Sequence, residues 1–248
     1  MLSAWVRTGL AVSALAFITT PAWADTFQVN PGAIGAPQGS FAADVADFSY
    51  NATVNQTGPT GCVPSCAFTE TGTASFSGFK VGAFNTPVVN SGLNQNPGYT
   101  LTGNFSAAGT AVNDGTGGIR ATFNTFNLTL NTQTLPGGPS TLVAQSAGLV
   151  AGDAHIFGAE LAQGDFHVVL KLNPVGGFLS GPFVLNLNNA DFAGNNTHTS
   201  GFSLGAFTGG NIQGSGNLSF TAVPEPASLV LLGSGMAALG WWRRRTTR

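Results

Sequence analysis

The chain has 248 residues, of which 7% are charged, with 35 Gly, 19 Phe and eight Lys or Arg against ten Asp or Glu. Between Asp25 and Glu225 the basic side chains are Lys80, Arg120 and Lys171, against ten acidic ones, which leaves a net charge near −7 with His neutral. So few cations exclude phosphate-neutralising contact with nucleic acid and electrostatic adhesion to anionic lipid.

The N-terminus has the three parts of a secretory signal peptide. Arg7 supplies the early positive charge, Gly9 to Thr19 is an uncharged and mostly apolar run, and Ala22-Trp23-Ala24 offers the small residues that signal peptidase reads. Cleavage is expected between Ala24 and Asp25. The competing reading, an N-terminal anchor, needs ~20 apolar residues, and this run is well short of that.

The body, Asp25 to Ala222, is about 200 residues, enough for one domain with a real core. Gly and Pro interrupt any helical period every few residues. Short apolar–polar alternation recurs instead, as expected of half-buried strands. It is found in Phe48–Val54, in Phe68–Val81 with interruptions near Gly72 and Gly78, and in Tyr99–Phe105, Ile119–Leu130, Phe183–Leu187 and Ile212–Ala222. The clearest strand is Asp165–Leu172. There Phe166, Val168, Leu170 and Leu172 take one face, and Asp165, His167, Val169 and Lys171 the other.

Many short strands with turn signals about ten residues apart predict an all-β fold, a β-sandwich of jelly-roll or Greek-key type. A β-solenoid would need a fixed repeat, and none is found. An outer-membrane barrel would need a lipid-facing apolar row with aromatic girdles, whereas the Phe residues here are scattered and Tyr is rare.

Cys62 and Cys66 sit in a Gly- and Pro-rich turn, Gly58 to Cys66. In an oxidising compartment this spacing predicts a disulfide that stiffens the turn. Zinc would need further ligands close in sequence, and a redox pair would have two intervening residues before a helix.

The sequence offers few candidates for chemistry. Gly152-Asp153-Ala154-His155 and Gly164-Asp165-Phe166-His167 share a pattern that places Asp and His on one face of a strand. On adjacent strands the two pairs could form a carboxylate–imidazole metal site, or simply two solvated faces, which is the expectation taken here, with no metal and no cofactor. Asn113 to Gly118 reads as a turn and lacks the alternating acidic ligands of a strong calcium loop. The body has no G-x-S-x-G nucleophile motif. Glu70, Glu160 and several Asp leave a carboxylate pair for glycoside cleavage open. Asn-x-Ser/Thr triplets at Asn51, Asn55, Asn104, Asn127, Asn195 and Asn217 fit the glycosylation pattern, but a chain this rich in Asn and Thr produces them by chance.

The C-terminus is more specific. Pro224-Glu225-Pro226 resists helix and strand alike and stays extended. Ala227 to Trp242 is an apolar helix of 16 residues with Trp at its end, and Arg243, Arg244 and Arg245 follow as a cytoplasmic anchor by the positive-inside rule. This order of parts resembles the PEP-CTERM sorting signal, in Pro224-Glu225-Pro226, Leu231-Leu232-Gly233, Leu239-Gly240 and the Arg run. The resemblance covers Val223 to Arg248 and implies processing by an exosortase, a membrane cysteine transpeptidase, near the Pro-Glu-Pro. It predicts three regions: a signal peptide (1–24), an all-β extracytoplasmic domain (25–222) and a sorting tail (223–248) with a transmembrane helix over 227–242.

A second resemblance lies in Phe27–Pro31, Phe41–Tyr50 and Gly164–Leu170. These strand patterns are similar to flocculation-associated PEP-CTERM proteins, and they carry no residue-level site. With the Asn-, Thr-, Ser- and Gly-rich body, they lead to the expectation of a non-enzymatic surface or matrix protein linked to exopolysaccharide, in aggregation, flocculation or biofilm. Its partners would be signal peptidase, the exosortase and, transiently, the inner membrane. The alternative is a secreted enzyme acting on polysaccharide.

Overall fold

The computed structural model describes residues 26–59, 62–157, 163–180, 190–200 and 209–220. The expected signal peptide, the segment Phe183–Leu187, Glu160, and the tail with Pro224, Glu225, Pro226 and the apolar stretch 227–242 lie outside the described residues. So do the three arginines, Arg243 to Arg245.

The described chain is all-β apart from one 3-10 turn, Pro31–Ile34. Its strands are β1 (Phe27–Val29), β2 (Phe41–Ala43), β3 (Val45–Thr57), β4 (Cys66–Val81), β5 (Thr86–Pro87) and β6 (Gly98–Asn113). They continue as β7 (Ile119–Leu135), β8 (Ser140–Phe157), β9 (Gln163–Pro174), β10 (Leu179–Ser180), β11 (Ala190–Ser200) and β12 (Gly209–Phe220). The interruptions expected near Gly72 and Gly78 do not break β4. Gly72 is needed there because the Phe105 ring of β6 lies where a Cβ would go, and that Cβ would also stand 2.6 Å from the Asn51 carbonyl oxygen.

The expected two-sheet sandwich is corrected by the pairing. The long strands run β3-β12-β11-β9-β8-β7-β6-β4, and β4 pairs back onto β3, so among the described residues eight antiparallel strands close into one barrel. The seam is the pairing of the first and last long strands, β3 and β12, from Val45↔Ser219 to Asn55↔Gly209. Closure is accommodated by the twist and tilt of long strands. β6, β7 and β8 have 16, 17 and 18 residues, longer than the turn signals implied. Sheets of such strands coil as they twist and meet their own edge.

Alternation then sorts the side chains. On β3, Phe48, Tyr50, Ala52 and Val54 are buried while Ser49, Asn51, Thr53 and Asn55 are exposed. On β9, Val168, Leu170 and Leu172 are buried, Phe166 is half-buried, and Asp165, His167 and Lys171 are exposed, as their spacing predicts. Among the described residues the outer face is thus mostly polar and the interior mostly apolar, the reverse of the alternation in a membrane barrel. Each fully buried Phe or Leu contributes about 1.5–3 kcal/mol. The ring pairs, such as Phe48 with Phe76 at 5.6 Å, add about 0.5–1.5 kcal/mol each.

The two ends differ. At one end a small sheet, β10-β1-β2, covers the opening. Phe27 of β1 meets Phe220 at 4.9 Å and Phe79 at 6.4 Å, Phe41 meets Phe79 at 5.2 Å, and Phe178 meets Tyr99 at 5.4 Å. The described chain both enters and leaves at this capped end, at Thr26 and Phe220. The far end is a rim that carries the β3–β4 and β6–β7 connections.

Candidate functional site

At the rim, Cys62 and Cys66 are bonded as a disulfide between β3 and β4, and both are buried. The bond closes a loop of sequence separation 4, too short a closure to contribute much chain entropy. It shapes the turn.

The register brings the two Asp–His pairs together on the outer wall, Asp153 opposite His167 and His155 opposite Asp165 on β8 and β9. They do not converge on one point, because His155 turns aside to the rim. Its Nε2 lies 2.9 Å from Asp114 Oδ2, in the turn between β6 and β7. The other oxygen, Asp114 Oδ1, accepts from the Thr116 amide (2.8 Å), the Thr116 hydroxyl (2.8 Å) and the Gly118 amide (2.9 Å). The imidazole first, and then these donors, hold the Asp114 carboxyl well below the usual carboxylate range. A carboxylate that accepts from this many N–H and O–H donors organises the turn, so Asn113–Gly118 is the turn that its sequence predicts. Among the described residues no group of three or more His, Cys, Asp or Glu is placed to hold a metal.

No sequence motif marks the barrel interior. In its rim half is a cavity of about 50 Å³ lined by Tyr50, Phe68, Phe105, Phe123, Phe126 and Phe166, with one acid among them, Glu70. Glu70 points inward because it shares the strand parity of Phe68, Ala74 and Phe76, all buried. Its register partners are Val54 on β3 and Ala107 on β6, both apolar. Burial pushes its carboxyl up to about 7. Burial, and then the Glu70 charge, keep the Tyr50 phenol well above its ordinary range.

Phe123 and Phe126 both turn inward although they are three residues apart. The β7–β8 ladder is interrupted between Thr122 and Thr129, and β7 and β6 shift register at Ala108/Gly109, which resets the alternation. Their rings then meet edge-on at 5.6 Å, and Phe126 stacks on Phe105 at 5.5 Å.

On the outer wall, β12, β3 and β4 present a grid of neutral polar groups. Asn211, Thr53 and Thr71 stand side by side, and so do Gln213, Asn51 and Thr73. They line a shallow open groove in which Thr53 Oγ1 donates to Asn211 Oδ1 at 3.0 Å.

Comparison with known families identifies a PEP-CTERM protein-sorting motif at residues 222–245. The chain thus carries the sorting signal that its C-terminal sequence resembles, and the motif implies export and processing by an exosortase toward the cell surface. Comparison with curated proteins and with solved structures finds no significant match.

Proposed function

We propose that this protein works outside the inner membrane as a surface or matrix component, supporting exopolysaccharide-linked aggregation, flocculation or biofilm without catalysing a reaction. The observation that carries the reading is the sorting motif at residues 222–245, joined to a barrel whose wall is rich in hydrogen-bonding groups and poor in cations. Such a wall offers amide and hydroxyl partners to a hydrated polymer and no cationic field. The groove of Asn51, Thr53, Thr71, Thr73, Asn211 and Gln213 concentrates those groups on three adjacent strands.

Geometry adds a reason. The described chain leaves the barrel at its capped end, next to the sorting tail. A tail held in the inner membrane by Ala227 to Trp242 would leave the wall and rim facing outward. The polysaccharide-cleaving alternative needs two carboxyl groups about 5–10 Å apart across a sugar. Glu70 is the one carboxyl among the described residues that line the interior cavity, which gives that chemistry no second group there.

Deleting the gene and restoring it in trans tests the reading. The deletion strain is expected to aggregate less and to retain less exopolysaccharide in its cell pellet. Restoration with the wild-type chain recovers both. Unchanged aggregation and unchanged polysaccharide in the deletion strain would refute a matrix role.

A further inference from the structure

We propose that the rim-half cavity around Glu70 is a binding site for a small organic ammonium ion. Among the described residues, Glu70 makes no hydrogen bond and faces no Lys, Arg or His, yet it sits in an apolar chamber at the inward parity of β4. An ionised carboxylate in such a place is expensive unless a cation or donor accompanies it. The surface that Glu70 retains faces the cavity, so the missing partner would stand there.

The walls specify what kind of partner. Six aromatic rings line the chamber, those of Tyr50, Phe68, Phe105, Phe123, Phe126 and Phe166. Aromatic faces attract cations and also accommodate methyl and methylene groups, so a ring-lined box with one carboxylate recognises an alkylated ammonium. A hydrated metal ion would find one carboxylate and one phenol as oxygen donors and no room for its water shell. An anion would meet the carboxylate. A cavity of about 50 Å³ admits a few non-hydrogen atoms, which restricts the ligand to compact amines. The net negative body, near −7 between Asp25 and Glu225, enriches cations around the barrel.

Tyr50 from β3 is the other titratable group facing the acid. The remaining lining residues, from β4, β6, β7, β8, β9 and β12, are apolar. Binding therefore strengthens as Glu70 ionises with rising pH, while the ligand amine stays protonated.

The test uses the exported chain with its tail, purified in a nonionic detergent and titrated at pH 8. The probes are methylammonium and isopropylammonium, with methanol and isopropanol as neutral counterparts of the same shape. Methyl resonances of Ala121, Ile119 and Ile156, which line the chamber, report occupancy. Saturable shifts are expected with the ammonium ions, at an affinity about ten- to a hundredfold above that of the alcohols, the range of one charge-assisted contact. Glu70→Gln should abolish that preference. Equal binding of ammonium and alcohol by the wild type would make the chamber a plain apolar void. No saturable shift with any probe would remove the site altogether. Both results come from the wild type alone and overturn the proposal.

Discussion

Replacing Glu70 with Gln stabilises the barrel at pH 8 and does little at pH 4. In the unfolded chain this carboxyl titrates at 4.5, and in the barrel burial pushes it up to about 7. Between those pH values the folded protein keeps a proton that the unfolded chain has released. Stability therefore falls as pH rises from 4.5 through about 7, and remains at the lower level above it. At about 1.4 kcal/mol per pH unit, the whole window amounts to about 3 kcal/mol. Gln has the same shape and no charge, so it has no such window. Urea denaturation of both proteins at pH 4 and pH 8 measures the effect, with Glu70→Gln gaining about 3 kcal/mol relative to wild type between the two conditions. Parallel behaviour of the two proteins would show that Glu70 is solvated. Adding an ammonium ligand should close part of the gap at pH 8, because the wild type then has its missing cation.

Proline at either of two adjacent positions of β12 destabilises the fold. In an antiparallel strand, successive residues direct their amides to opposite neighbours. Ser215 and Gly216 each have partners on both sides, Asn195 and Gly194 on β11, Ser49 and Phe48 on β3. In a closed barrel neither amide is free, so Ser215→Pro and Gly216→Pro each remove a ladder bond and leave a carbonyl without its donor. Each should lower stability by on the order of 3 kcal/mol. If the seam between β3 and β12 were open, β12 would be an edge strand and one of the two prolines would be tolerated. One near-neutral variant in thermal or urea unfolding would therefore contradict closure.

The comparison of these features with the sequence shows where local pattern suffices. The faces of β9 follow from alternation alone, since Val168, Leu170 and Leu172 go inside and Asp165, His167 and Lys171 outside. The disulfide needs only two cysteines four apart in a tight turn. Closure is different. Whether Ser49 meets Ser215 depends on contacts 166 positions apart in the chain, and no local signal distinguishes a sandwich of eight strands from a barrel of eight strands. The clasp between Asp114 and His155 spans 41 residues and was hidden for the same reason. Glu70 is legible only in part. Its parity with Phe68 and Phe76 places it inside, but that its neighbours Val54 and Ala107 are apolar depends on the pairing of β4 with β3 and β6, which no local pattern shows.

The sorting motif implies export and processing toward the cell surface; the proposed route makes the tail the part that sets where the barrel acts. Residues 222–245 carry the sorting motif, with Pro224-Glu225-Pro226 at the mouth of the apolar stretch Ala227 to Trp242. On the proposed route, pulling Arg243 to Arg245 through the membrane centre would be opposed by ~2.5–3.5 kcal/mol for each arginine, and release would need the chain to be cut. The most direct measurement replaces Pro224, Glu225 and Pro226 with Ala in the native strain and follows the chain by fractionation and intact mass. The account predicts a protein with its signal peptide removed that stays in the inner membrane with residues 227–248 attached. Wild-type amounts of the triple-Ala protein outside the cell, with the tail removed, would contradict it.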